Sequence, residues 1–239
     1  MPMLADLHNH SCLSSCASHE MTPLCIAETA VARGIDLLAL TDHNSARNCP
    51  AFQDACQRVG IRPLFGLEIT AAEGCHVLAL FDSLAPAIAM DHWVGAALPH
   101  TPLNEEHYGP QAVVDADGNE IGTVEFYLGV PIRHTLGAVR KKTHKLGGLF
   151  IPSHINRNSL SIESQLGALP HGAYDAIEVL PGSVDAYSHR YPDVPVITAS
   201  DAHCPEQIGQ FPFYIPIRKR AFDLEDIRKS LQELTLHSS

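Results

Sequence analysis

The chain has 239 residues, 45% of them hydrophobic and 18% charged, with a formal net charge of −11 and fifteen histidines. That length is ample for a hydrophobic core, and no apolar run reaches the ~18 residues that a membrane span needs. The acidic balance excludes gripping a long nucleic acid by charge alone, and seven cysteines without a signal-like leader argue for a reduced, cytoplasmic protein rather than a disulfide framework.

Residues 3–8 read as a first strand that ends in His8-Asn9-His10. Side chains alternate along a strand, so His8 and His10 face the same side. A small polar loop leads to a helix opening at Thr22-Pro23, with Thr22 as N-cap, and ending at Arg33-Gly34. Residues 37–41 form the second strand, and the crossover predicts parallel pairing. A helix over 50–59, closed by Gly60, leads to strand 62–70, and a short turn leads to strand 76–81 as a hairpin-like return. Residues 84–130 are a rim insertion, with a helix over 85–98 and an Asp-Gly hairpin between 111–114 and 120–124. It serves as a lid, a pairing surface for a second subunit, or a decorative excursion. Alternation resumes with helix 135–145, strand 148–152, helix 162–169, strands over 176–180, 194–199 and 214–217, and a closing helix over 223–234 capped by Asp223. Such alternation predicts an α/β fold. No Gly-rich phosphate loop follows the first strand, so an irregular barrel is expected rather than an open doubly wound sheet. The chain reads as one domain over 1–239.

Metal-ligating residues gather at one end of these strands. The apolar runs end in His8-x-His10, Asp42-His43, Glu68, His154 and Asp201-x-His203, while His76 stands at the start of its run. His8, His10, His43, Glu68, His76, His154, Asp201 and His203 are the candidate ligands, with Asp6 and Asp42 in reserve. One ion needs three or four protein ligands, so this set serves two ions, or three if Glu68 bridges. Mixed nitrogen and oxygen donors suit Zn, Mn or Fe more than Mg or Ca. Paired ions hold a hydroxide and substrate oxygens together, as hydrolysis of a phosphate ester requires. The plain alternative is a set of satisfied polar-core histidines.

His8-x-His10 after the first strand, Thr41-Asp42-His43-Asn44 after the second, Gly66-Leu67-Glu68 after the third, then a lone His and Asp201-x-His203, resemble the PHP (polymerase and histidinol phosphatase) phosphoesterase family over residues 3 to about 210. The resemblance implies a distorted (β/α)7 TIM-like barrel with two or three divalent metals. It implies that His8 and His10 hold one ion with Glu68 and Asp201, that Glu68 bridges to a second held by His76 and His154, and that His43 and His203 complete a third. The family's usual acidic or His partner after His10 is missing here, where the chain reads Ser14-Ser15-Cys16. Cys16 is the candidate thiolate, the alternatives being His19, an unfilled third site, or plain loop thiols. Cys12 and Cys49 are candidates to gather with Cys16 near His43.

The expected activity is hydrolysis of a small phosphomonoester, a nucleotide or a short oligonucleotide end by metal-bridged hydroxide. His43, Glu68, Asp201 and His203 form the catalytic set, with His43 or His203 supplying the leaving-group proton and Asp42 orienting His43. Arg157 suits a phosphate fork, and Asn44 is a weaker substrate contact, as are Ser45 and Asn156. An amidohydrolase-type C–N hydrolase is the alternative, although Lys141, Lys142 and Lys145 fall in a helical stretch rather than at a strand end. A non-catalytic metal-binding regulatory module is the other. The remaining histidines, His100, His107, His134, His144, His171, His189 and His237, have no strand-end setting. His107 reaches the site only if the insertion is a lid.

Overall fold

The computed structural model describes residues 2–217 and 221–236; the basic run at 218–220 and His237 lie outside the described residues. The first part repeats strand, helix and strand: β1 (Met3–Asp6), α1 (Pro23–Ala32), β2 (Leu37–Leu40), α2 (Cys49–Val59) and β3 (Arg62–Thr70). Both pairings, β1 with β2 and β2 with β3, are parallel, as the crossovers require. Thr22 Oγ1 accepts from the Cys25 amide at 3.2 Å to cap α1, and Gly60 closes α2 in the left-handed conformation, φ 76°.

The second part is less regular. It comprises β4 (His76–Phe81), α3 (Leu84–Gly95), α4 (Glu105–Tyr108), β5 (Ala112–Val114), β6 (Glu120–Thr123), α5 (Leu136–Lys145), β7 (Leu149–Pro152), α6 (Ile162–Leu166), β8 (Ile177–Glu178), α7 (Val184–Arg190), β9 (Val196–Ile197), β10 (Phe213–Ile215) and α8 (Leu224–Leu236). Neither α4 nor α7 buries a residue, so neither carries the apolar periodicity that would reveal it in the sequence.

Six strands form one curled sheet in the order β10-β1-β2-β3-β4-β7, and β8 and β9 form a separate parallel pair. The architecture is thus mixed α/β rather than a uniform repeat of seven β/α units. β4 runs antiparallel to both β3 and β7, and β10 runs antiparallel to β1. That reversal accounts for the exceptional position of His76. In an antiparallel pair the start of one strand lies beside the end of the other, and His76 sits opposite Thr70. Gly66 lets the two strands approach, since a Cβ there would lie 2.5 Å from the Ala79 carbonyl oxygen.

The strands are buried on both faces, which explains their unbroken apolar runs. Leu37, Ala39, Leu64, Leu78, Leu80, Leu149 and Ile151 share one core with Leu224, Ile227 and Leu231 of α8. Leu38, Leu40, Leu67, Ile69, Ala79 and Phe150 face the other core, shared with α1, α2 and α3. Glu68 has the parity of Leu64, so it points to the inner face at the mouth of the sheet. Among the described residues, no helix is long and apolar enough to cross a membrane.

Candidate metal centre

Glu68 is the hub of the mouth. Its carboxylate lies 3.2 Å from His8 Nε2, 3.4 Å from His10 Nε2, 3.2 Å from His43 Nδ1, 3.0 Å from His76 Nδ1 and 3.2 Å from His154 Nε2. Asp201 Oδ1 is 3.3 Å from both His8 Nε2 and His10 Nε2, which are 3.1 Å from each other. A tetrahedral ion with bonds of about 2.05 Å holds its ligand atoms about 3.3 Å apart. The three separations among His8 Nε2, His10 Nε2 and Asp201 Oδ1 span 3.1–3.3 Å, so these donors fit one such ion, and Glu68 meets His8 through Oε1 and His10 through Oε2. The Nδ1 atoms of His43 and His76 are buried without a well-formed hydrogen bond despite their closeness to Glu68. Buried nitrogens left so are costly, and ligating a cation satisfies them. Three donor groups emerge: His8 with His10 and Asp201, His43 with Glu68 and His76, and His10 with His43 and His203.

Several of these rings are held from behind. His8 Nδ1 meets Glu178 Oε2 at 2.9 Å, and His10 Nδ1 meets the Ser14 hydroxyl at 3.1 Å, which leaves each Nε2 facing the centre. His203 Nδ1 donates to the Asp201 carbonyl at 2.7 Å. His154 and Asp201 both adopt positive φ, 29° and 47°. Such backbone costs on the order of 1 kcal/mol or more per non-glycine residue, and here it occurs at two of the donors.

The electrostatics follow from burial against charge. Burial opposes protonation of His8, but Glu68, Glu178 and Asp201 outweigh it and lift its pKa well above the usual value. The same balance, with Asp201 and Glu68 as the favourable partners, raises His10 to about 9. Burial and the charge on His10 oppose His43, yet contacts with Cys16 and Glu68 raise it to about 9. Burial pushes His203 down to about 4. Burial also opposes the charged forms of Glu68 and Asp201, but the surrounding imidazoles hold both well below the usual carboxylate range.

Residues 6–121 match the family model of the PHP domain. Over this stretch, just under half of its length, the chain is similar to the PHP family. Its sequence is 39% identical over 74 residues to an error-prone DNA polymerase of Symbiobacterium thermophilum, covering 31% of this chain and 7% of the polymerase. It is 31% identical over 93 residues to a phosphoribosyl 1,2-cyclic phosphate 1,2-diphosphodiesterase of Eggerthella lenta, covering 36% of this chain and 34% of that one. Its fold resembles the lesion-specific endonuclease PfuEndoQ of Pyrococcus furiosus, with a TM-score of 0.70 at 19% identity over 98% of this chain and 56% of the endonuclease. The chain therefore spans only a small part, 7% and 34%, of the curated relatives it matches.

All eight candidate donors converge at the mouth of the sheet, but several residues around them take other positions than the sequence suggested. Asp42 does not orient His43. Its carboxylate accepts from the Ser11 amide and from the Ser11 and Ser14 hydroxyls at 2.6–2.7 Å, and Ser14 in turn meets the His10 ring and the His43 amide. Asn44 is buried, and its side chain is fully engaged. It donates to the Leu128 and Val130 carbonyls and accepts from the Thr70 amide, so it ties the rim segment to the mouth instead of facing a substrate. Asp6 accepts from the Ser200 and Gly209 amides and stays out of the donor groups.

Cys12 packs by Asn48 and the Ala112 carbonyl, and Cys49 points to the Gly66 carbonyl, so these two do not gather at His43. Burial raises both thiols, Cys12 to about 12. Cys16 is exposed and lines the same cavity as His43, Glu68, His76, Asp201 and His203, and His19 is exposed. Glu178 is the residue that the sequence reading missed. The available signal was a carboxylate at the inward parity of a short buried strand, two residues after Ala176, which packs in the inner core.

A pH dependence follows for the chain stripped of metal by a chelator. His10 and His43 have folded pKa values near 9, above the ordinary 6.5. Their contribution to stability is full below pH 6.5 and is lost as pH rises through about 9. Melting temperature of the chelated chain is expected to fall across that window relative to the metal-loaded chain, whose ligands are already deprotonated. Parallel melting curves with and without chelator would contradict the assignment.

Proposed function

We propose that this chain is a metal-dependent phosphoesterase that hydrolyses a phosphate ester of a small phosphomonoester, a nucleotide or a short oligonucleotide end. The observation that carries the reading is the Glu68 carboxylate set among five imidazoles, with the His8, His10 and Asp201 donors at tetrahedral spacing beside it. In this reading His8, His10, Glu68 and Asp201 hold one divalent ion, and Glu68 reaches a second held by His76 and His154. His43, His203 and the Cys16 thiol hold a third. Zn, Mn or Fe suits these donors, with Zn or Fe favoured where the thiolate joins. Bound ions supply an acidified water and positive charge against the phosphate oxygens.

The chain's own residues complete the arrangement. Arg157 Nη1 lies 3.1 Å from Asp201 Oδ2 on the cavity wall, and its side chain is 44% exposed, so its fork is available to a phosphate. Neutral His203 suits a ligand or base better than a proton donor at neutral pH. Among the described residues, the cavity lining holds no lysine, and Lys141, Lys142 and Lys145 belong to α5, which weighs against the amidohydrolase type. The names of the polymerase and phosphodiesterase relatives support a phosphate ester as substrate.

We also read the fold as a distorted seven-stranded barrel forming one domain. The Asp175 amide donates to the Phe150 carbonyl, Ile155 to Glu178, and His10 to Ala202, at 2.8–3.1 Å, which supports a ring closed through β8 and β9.

The test is metal content by mass spectrometry of protein purified without chelator, beside hydrolysis of phosphate esters before and after chelation. Two or three equivalents per chain and a hydrolysis that chelation removes and metal restores are expected. Less than one equivalent after reloading, with no hydrolysis, would overturn the reading. Arg157→Ala is expected to raise KM about tenfold, with Arg157→Lys recovering little because the planar fork is lost. Stability should change by only about 0–1 kcal/mol, since the Arg157 side chain of the Asp201 pair is 44% exposed. Steady-state kinetics and thermal melting together check this.

A further inference from the structure

The rim segment brings an aromatic pair to the edge of the centre. Tyr127 lines the same cavity as His43, Glu68, His76, Arg157 and Asp201, a space of about 190 Å³. Its ring stacks on Tyr108 with centroids 4.4 Å apart and planes 18° apart, and His107 meets Tyr108 edge-on at 4.5 Å. Tyr108 is 40% exposed and belongs to α4, which buries no residue, so hydrophobic burial does not explain why the ring is there. The position of Tyr127 is specified from several sides. Its amide donates to Thr101, the next amide donates to Gln111 Oε1, and Asn44 holds the Leu128 and Val130 carbonyls. Gly129 lies against the ring, and a Cβ there would be 2.6 Å from Cζ and the hydroxyl. The loop that carries Cys16 closes the other flank, with Ser15 at the Tyr127 hydroxyl.

Within the phosphoesterase reading, on which this step rests, the geometry points to Tyr108 and Tyr127 as a stacking platform for a nucleobase attached to the phosphate that Arg157 holds. A planar base extends a stacked tyrosine pair whatever its hydrogen-bonding edge, because every base has a π face. Tyr127 and Arg157 line the same cavity, and Tyr108 extends the Tyr127 ring, so a single nucleotide engages the pair and the guanidinium. The substrate class is accordingly a nucleoside phosphate or the end of a short single strand, in preference to a sugar phosphate.

The test compares two ligands that differ only by the base. The phosphonate analogues of adenosine 5′-monophosphate and ribose 5-phosphate, with a methylene in place of the ester oxygen, cannot be cleaved. Both are titrated calorimetrically into the metal-loaded chain. The adenosine compound is expected to bind about tenfold or more tightly than the ribose compound. That ratio is expected to collapse toward one in Tyr108→Ala and to persist in Tyr108→Phe. Tyr108 is the variant of choice because α4 packs nothing into the core, and Tyr127→Ala with circular dichroism to verify folding repeats the measurement at the cavity wall. Equal binding of the two ligands, or a ratio that survives in the folded Ala variants, would overturn the platform. Phosphate release from ribose 5-phosphate and adenosine 5′-monophosphate is measured separately. Hydrolysis without base preference sinks the platform alone, whereas base-selective binding with no ester hydrolysed sinks the phosphoesterase reading and leaves the platform standing.

Discussion

Glu68→Gln is expected to abolish hydrolysis, by on the order of 10³-fold, and to reduce bound metal from two or three equivalents to one or none. The carboxylate lies within 3.0–3.4 Å of five imidazole nitrogens, so its charge serves every donor group at once. An amide keeps the shape but brings N–H groups toward nitrogens that must present lone pairs. In the metal-free chain the same change leaves buried imidazolium groups without their partner. Removing one member of a buried ion pair costs about 3–5 kcal/mol, and the raised pKa values of His8, His10 and His43 should fall back because Glu68 helps to sustain each of them. Metal analysis, kinetics and melting of the chelated protein read these effects separately. Retention of full metal content and activity would show that Glu68 is not the shared ligand.

Glu178→Ala is expected to weaken metal binding about 10–100-fold without removing a residue that faces the centre. Its carboxylate lies 2.9 Å from His8 Nδ1, fixes the tautomer that leaves Nε2 as the donor, and raises that donor's basicity. Glu178→Gln retains a hydrogen-bond acceptor and should recover part of the affinity. A merely structural role predicts equal losses in both variants, and a shift in melting temperature without a shift in metal affinity. Competition titrations with a metal indicator distinguish the outcomes.

The Glu178 case shows where sequence reading stops. β8 is two residues long, and its single carboxylate follows no motif; what marks it is the company of Ala176 on an inward face that only assembly creates. Asn44 illustrates the opposite error. Its place beside His43 suggested a substrate contact, whereas the rim segment folds back and takes both ends of its amide. Asp42 likewise acts two steps away, through Ser14 on His10, because the loop after β1 lies across the end of β2.

The sequence by itself determined the strands that end in ligand-type residues, the helix caps at Thr22 and Gly60, and the eight candidate donors that meet at the mouth. These are local properties: a two-residue alternation, a capping side chain and a run of apolar residues follow from the neighbouring covalent chain. The short turn after β3 also announced the return of β4 beside it, whereas only the tertiary structure decided that β7 pairs antiparallel with β4 and that His76 reaches Glu68. It alone decided that Glu178 stands behind His8, that Cys12 and Cys49 stay away from His43, and that Tyr127 reaches the cavity from more than fifty residues beyond Glu68 in sequence. The physical reason is that such contacts depend on strand direction and chain reversal, which are set by how two cores close against each other rather than by any residue's immediate neighbours.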